Sequence, residues 1–553
     1  MFEGIEALRN PKISFIVRST SSENTLAMID VWIRSCMEKH SCQRLRRDVE
    51  FVPMRLIDTE QRDDSGWRLC VNIPGQQQPV SYMTLSHCWG TASFLQLKTS
   101  TIESFRAGLP LLALPRSFQD AVHVVRRVGE RYLWIDSICI IQDSPKDWKE
   151  QSVLMGEVYS NSICNIAATG AADSSQGCFV SRQESDLICT LSKNSSTFFT
   201  QDQAIVNLQQ WSDEVEQTRL NQRGWVLQER LLAPRIVHFG SKQVFWECSQ
   251  MNACETYPEK MPSPFHRDYL PSLRTLFYMA LESLKKETYG LIRWPYWSAE
   301  AEQFWATFVK HYSRCGITKS SDKLVAITAI VLQLQKATKD EYCAGLWKSY
   351  LPRQLMWNVC QGREGPRFMR PAGHRAPTWS WASIDALIDT VNWEKDDSDP
   401  IAEDDTQIVR IVSIQSRSMS QDPTSPIKTL HLEIRSILVP GHFEVRSLYF
   451  SNPPWDPSGF FSTSYVMDDS RDAITQEVMC VPIYACQKQS MDLTIIAIKG
   501  LVLEEIPARN LLFQRIGTFE EEVEQQAPIW IPGLQLTANF LQDPPAVKVI
   551  TII

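Results

Sequence analysis

No stretch of this 553-residue chain is apolar for long enough to cross a bilayer. The longest apolar run, near residues 132–141, carries Asp136 and falls well short of the ~20 residues that a spanning helix needs. Residues 1–20 have charges inside any apolar core, so no signal peptide is expected. There is no block of Lys or Arg, and the net charge is -8, which disfavours binding to a nucleic-acid backbone. Cys-x-x-Cys is missing. The Cys248/Cys254 and Cys480/Cys486 pairs, each with five intervening residues, fit no common zinc spacing, so no metal site is expected. Fifteen scattered Cys, an odd count, suit a reduced cytoplasmic chain whose thiols are small buried apolar groups. The chain has no Gly-x-Gly-x-x-Gly after a strand, no Walker loop, no His-Glu-x-x-His and no Gly-x-Ser-x-Gly. Internal repeats and low-complexity tracts are absent as well.

What is present is a globular composition, 43% hydrophobic and 22% charged, long enough for two to four domains. Eighteen Trp imply large cores or aromatic-walled pockets. Leu26, Ile29, Ile33, Cys36 and Met37 form a helical stripe over 24–39. Residues 55–58 read as a short strand and 80–88 as a longer one ending in Trp89-Gly90. Ser117 opens a helix that Gly129 closes. The run 132–141 reads as a buried strand, followed by a helix started by Ser144-Pro145 and by a strand at 163–168. Strand–helix alternation with short connections predicts a parallel α/β sheet flanked by helices. Residues 171–220 read as an insertion. Helices dominate 261–392, 393–406 is an acidic linker, and strands return over 407–553.

Within Arg223-Gly-Trp-Val-Leu-Gln-Glu-Arg-Leu-Leu-Ala-Pro-Arg235, Asn221 is the expected cap and Pro234 the stop. Trp225, Glu229 and Leu232 share one helix face. A carboxylate there is costly unless paired or used. Glu229 is either a chemical group or half of a buried ion pair with Arg223 or Arg235. Ser86 to Gly90 lie at the carboxyl end of a predicted parallel strand, where such sheets bind ligands. Trp89 there either walls a site or plugs the sheet end. Asp136, near the corresponding end of the next strand, holds either a ligand or a loop amide. His87 and Cys88 are adjacent on a strand and point to opposite faces, which argues against a nucleophile pair.

Several segments resemble the heterokaryon incompatibility (HET) domain of filamentous fungi. They are Tyr82-Met-Thr-Leu-Ser-His-Cys-Trp-Gly90, Leu114-Pro115 with Ser117 and Asp120-Ala121, Arg131-Tyr-Leu-Trp-Ile-Asp-Ser-Ile-Cys-Ile-Ile-Gln-Asp143, Asp147-Trp148 leading to Met155-Gly-Glu-Val-Tyr159, and Arg223-Gly-Trp-Val-Leu-Gln-Glu229 with Arg235. Trp379-Ser-Trp-Ala382 and Arg515-Ile-Gly517 look like tails of longer members. Residues 1–40 read as an N-terminal helical segment, and the resemblance implies a HET domain over 41–260. It also implies a role in non-self recognition and programmed cell death in vegetative incompatibility. The partner would be a second copy or another incompatibility protein.

The same order of elements also resembles, more distantly, a Toll/interleukin receptor (TIR) domain, a flavodoxin-like fold. Leu85-Ser-His-Cys-Trp-Gly90 and Gly129-Glu-Arg-Tyr-Leu-Trp-Ile-Asp136 stand where that family has its first two strands. Trp225-x-x-x-Glu229 has its Trp-to-catalytic-Glu spacing. That resemblance implies NAD as a substrate rather than a bound cofactor, with Glu229 catalytic and Ser86, Trp89, Asp136 and Trp225 around the substrate. Arg223 and Arg235 would orient the helix. Cleaving the nicotinamide–ribose bond passes through an oxocarbenium-like transition state. Glu229 would hold the ribose hydroxyls and stabilise the developing cation. The alternatives are a non-enzymatic self-associating module and a repurposed metabolic enzyme.

Overall fold

The computed structural model describes residues 18–42, 51–60, 66–71, 80–91, 93–183, 189–191, 203–205, 209–262, 272–286, 297–360, 370–371, 373–390, 406–407, 409–418, 428–444, 447–450, 464–468, 477–490, 493–507, 511–524 and 547–553. They fall into two units. The first comprises residues 1–279, 315–318 and 325–333, and the second comprises 280–314, 319–324 and 334–553. No helix among the described residues is long and apolar enough to cross a membrane.

The first unit is built on a nine-stranded sheet. Its strands are β1 (Arg55–Asp58), β2 (Gly66–Val71), β3 (Tyr82–Ser86), β4 (Leu109–Pro110), β5 (Tyr132–Ile135) and β6 (Asn165–Ala167), with β9 (Arg235–Phe239), β10 (Val244–Cys248) and β11 (Asn252–Cys254). Strands β7 (Cys189–Leu191) and β8 (Gln203–Ile205) form a separate hairpin inside the 171–220 insertion. The order across the sheet is β11-β10-β9-β6-β3-β5-β1-β2-β4. Only β9, β6, β3 and β5 run parallel to one another, and antiparallel strands extend both edges. The sheet is therefore mixed, not parallel throughout. The parallel strands are buried along their whole length, as apolar strands covered on both faces require.

The helices follow the handedness of the crossovers. They are α1 (Glu23–Lys39), α2 (Ile102–Ala107), α3 (Arg116–Val128), α4 (Asp136–Cys139), α5 (Pro145–Asn161) and α6 (Gly224–Leu232). From β3 the chain steps through α3 to β5 on one side, then turns back across β3 through α5 to β6 and through α6 to β9. Right-handed crossovers in opposite directions put α3 on one face and α5 and α6 on the other. Accordingly α1 packs on α3, and α5 on α6.

Local chemistry explains most boundaries. Ser22 caps α1 by accepting from the Thr25 amide at 3.2 Å, and Ser144 caps α5 by accepting from Asp147 at 3.3 Å. Gly129 ends α3 with φ +83°, its amide bonded to the carbonyls of Arg126 and Val125. Three expectations are corrected. Ser117 lies inside α3, which begins after Pro115 without a side-chain cap. Asn221 does not cap α6, because its amide donates to the Val215 carbonyl at 2.6 Å. The 132–141 run leaves the sheet after Ile135: the Asp136 carboxylate accepts from the Ser137 amide at 2.7 Å and turns the chain into α4.

In the second unit, helix Ala299–Tyr312 packs an aromatic stripe. Trp305 lies 5.4 Å from Phe308, and Phe308 lies 5.8 Å from Tyr312. Trp379 and Trp381 are fully buried, and the Trp381 indole donates to the Gly345 carbonyl at 2.7 Å. Strands from residue 406 onward form a ten-stranded, largely antiparallel sheet with a long meander through Glu477–Ser490, Leu493–Glu505 and Leu512–Glu524. Residues 393–405 of the expected acidic linker lie outside the described residues.

Candidate functional site

The chain reverses its direction of travel across the sheet between β3 and β6, and open α/β sheets bind ligands outside the carboxyl ends of the strands at such a point. Ser86 ends β3 there, level with Ala167 on β6. Its Oγ accepts from Asn165 Nδ2 at 2.9 Å and donates to Glu229 Oε2 of α6. Asn165 is held in turn by Thr84, whose hydroxyl donates to Oδ1 at 3.0 Å. Tyr159, on α5, is the second hydrogen-bond partner of the Glu229 carboxyl. Glu229 is only 5% exposed. Burial, reinforced by the Asp136 charge, raises its pKa above the ordinary glutamate value despite the bonds from Ser86 and Tyr159 and the charge of Arg223. The Tyr159 hydroxyl is pushed well above its usual value by burial and by Glu229.

A second cluster adjoins the first. His87 Nε2 lies 3.2 Å from Asp136 Oδ1, and the Trp89 indole donates to Asp136 Oδ2 at 3.0 Å. The His87 ring is buried edge-on against Phe118 at 4.7 Å and runs parallel to Trp89. Asp136 remains partly exposed, at 22% of its side chain, and Trp89 is half-buried. Burial raises the Asp136 pKa, yet His87 and then Arg223 outweigh it, so the carboxylate stays below its usual range. Gly90 closes the loop at φ +68°, the left-handed region that suits a residue without Cβ.

The two arginines do not form ion pairs with Glu229. Arg223 donates to the His87 carbonyl, and Arg235 donates to the Ile163 carbonyl at 3.0 Å. Trp225 packs edge-on against Trp148 at 6.2 Å. The structure thus brings Ser86, Glu229, Asp136 and Trp89 to one end of the sheet, with Arg223 bracing the loop. It turns Trp225 toward α5, while Arg235, the first residue of β9, reaches the Ile163 carbonyl just ahead of β6. Cys88 is buried, and burial raises its thiol.

His87 enters the site as the partner of Asp136 and not of Cys88, and Asn165 and Tyr159 join it without having been expected from sequence. Asn165 had a signal: an amide in an otherwise apolar run must be hydrogen-bonded once buried. Nothing local distinguishes the Tyr159 hydroxyl. Chemically, the arrangement offers a buried carboxyl behind a hydroxyl, and beside it a more exposed carboxylate held by an imidazole and an indole. Such a pair of acids in unlike environments can divide proton-transfer and charge-stabilising roles.

No curated protein and no solved structure matches the chain. A family model does: Heterokaryon incompatibility protein (HET), over residues 82–229. The match opens on the first residue of β3 and closes on Glu229 itself, enclosing both side-chain clusters. Residues 82–229, which carry three of the four mutually parallel strands of the first unit, are thus similar to the HET domain.

Proposed function

We propose that the HET domain executes cell death in fungal vegetative incompatibility by TIR-like hydrolysis of NAD at the nicotinamide–ribose bond. The observation that carries this reading is the Ser86–Glu229 contact at the reversal point of the sheet, beside the Asp136–His87–Trp89 cluster. Counted along the chain, the four parallel strands run 2-1-3-4, the order of flavodoxin-like sheets, and this supports a TIR-like reading. In this mechanism nicotinamide leaves as a neutral group and needs no general acid. Asp136 hydrogen-bonds the ribose, and Trp89 stacks on a ring of the substrate. Ionised Glu229, held by Ser86 and Tyr159, stabilises the oxocarbenium-like transition state.

A second reading is favoured by the burial of Glu229: a carboxyl bonded to Ser86 and Tyr159 also serves as a structural tie. In that case the domain acts as a self-associating signalling module. Incubating the full-length protein with NAD and measuring nicotinamide separates the two. Nicotinamide release that Glu229→Gln abolishes supports hydrolysis. No release at high protein concentration, in monomeric and assembled forms alike, rejects hydrolysis and leaves the signalling module.

A further inference from the structure

Away from the Ser86–Glu229 site, four metal-ligating side chains of the first unit converge at the junction of α1 and β10. Cys36 lies in the last turn of α1, and His40 follows as its extended cap residue. The His40 amide closes the helix on the Cys36 carbonyl at 3.1 Å. Cys42 comes two residues on, and Cys248 ends β10. The Sγ atoms of the three Cys and a ring nitrogen of His40 all lie within 4.8 Å of one another. His40 Nδ1 is 3.4 Å from Cys248 Sγ. All three thiols are buried.

Three sulfurs and one imidazole are the donor set of a closed structural zinc site. Tetrahedral zinc, with bonds of about 2.3 Å to sulfur and about 2.0 Å to nitrogen, separates its ligand atoms by roughly 3.5–3.8 Å. Closing the observed cluster therefore asks for side-chain shifts of about 1 Å.

A second observation points to the same ligand. Arg235 faces Cys248 across the β9–β10 pair and is 2% exposed. Its Nη1 serves the Ile163 carbonyl, but its Nε and Nη2 have no hydrogen-bond partner. A buried guanidinium without a counter-charge is costly. Three thiolates around a divalent ion carry one net negative charge, which would neutralise it.

We propose that Cys36, His40, Cys42 and Cys248 bind one zinc ion, with Arg235 as its buried counter-ion, and that the ion fastens α1 to the β10 side of the sheet. The ligands escape spacing rules because three come from one helix end and the fourth from a strand some 200 residues later.

The test is metal content. Full-length protein purified under reducing conditions and dialysed against a weak chelator should carry about one zinc per chain. Cys42→Ser and His40→Ala should lose most of that zinc, whereas Cys70→Ser, a thiol outside the cluster, should retain it. A ligand variant that fails to fold would also lose metal, so wild-type protein stripped by a strong chelator is titrated with cobalt(II) alone. Thiolate-to-cobalt absorption and intense tetrahedral d–d bands, saturating at one equivalent, are expected. Sub-stoichiometric zinc together with no such bands overturns the proposal. So does peptide mapping that finds two of the three Cys joined as a disulfide in metal-free protein.

Discussion

Ser86 and Glu229, 143 residues apart in the chain, meet through one hydrogen bond at the carboxyl edge of the sheet. Glu229→Gln keeps the shape of the side chain and an oxygen to accept from Ser86. The variant should stay folded, with stability within about 1 kcal/mol of wild type. Its NAD turnover should fall by at least about 100-fold. Thermal melts and nicotinamide release on the same preparation check both parts.

The raised pKa of Glu229 has a sign in stability as well. A folded state that holds the proton more tightly gains stability below the unfolded glutamate value, about 4.3, and loses it as pH rises through the folded value. Wild type should therefore lose stability relative to Glu229→Gln as pH climbs from 4 toward neutrality. Paired denaturation curves across that range measure it. If the ionised form is the active one, turnover should rise over the same window, displaced upward from an ordinary glutamate.

Trp89→Phe keeps a ring but deletes the indole donor 3.0 Å from Asp136. The lost hydrogen bond to a partly exposed carboxylate should cost about 1 kcal/mol. If Trp89 stacks on substrate, KM should rise more than kcat falls, because the remaining ring still fills the position. Steady-state kinetics on the two proteins distinguish this from a loss confined to kcat.

Gly90 is held at φ +68°, and a Cβ added there would lie 2.5 Å from Asp173 Cβ. Gly90→Ala should cost about 1–2 kcal/mol from backbone alone, and more from the clash. In an Asp173→Gly background the clash disappears and only the backbone cost remains. A double-mutant cycle in chemical denaturation reads the difference.

In the second unit, Arg515 is fully buried and donates to Asp468 at 2.9 and 3.1 Å, with its guanidinium over the Trp357 ring at 3.5 Å. Asp468→Asn strips the counter-charge from both Arg515 and Arg370. A loss of roughly 3–5 kcal/mol in the unfolding of that unit is expected. The Arg515 segment, which reads from sequence as a family tail, is thus anchored as a structural element.

Periodicity and capping chemistry made the elements of the first unit legible where each was locally self-sufficient. Helices α1, α3, α5 and α6 and the cores of β1, β3 and β6 lie where the sequence places them. Strand β9 was missed because Arg235 and His238 break its apolar run, and only their long-range partners Ile163 and Glu247 make them tolerable there. Residues 136–141 are apolar enough for a strand, and the turn that ends β5 depends on one carboxylate. Glu229 stood out as a carboxylate on an apolar face, but its partner was not predictable: the choice of Ser86 over either arginine is made by sheet order. The His87–Asp136 pair and the Cys36–His40–Cys42–Cys248 cluster were invisible for the same reason.

The first unit also borrows chain from far downstream. Gly316 both accepts from the Gly224 amide at 3.0 Å and donates to the Gln222 carbonyl at 2.7 Å, clamping the start of the helix that carries Glu229. Ala329 fills the space over Gly156 on the neighbouring helix so closely that a Cβ there would lie 2.2 Å away. At about 5–20 residues per second, a ribosome needs roughly 5–20 s to supply the ninety or so residues between Gly224 and Gly316. During synthesis the segment similar to the HET domain therefore lacks these contacts when Glu229 emerges, and the activity proposed for that site would be withheld from the nascent chain.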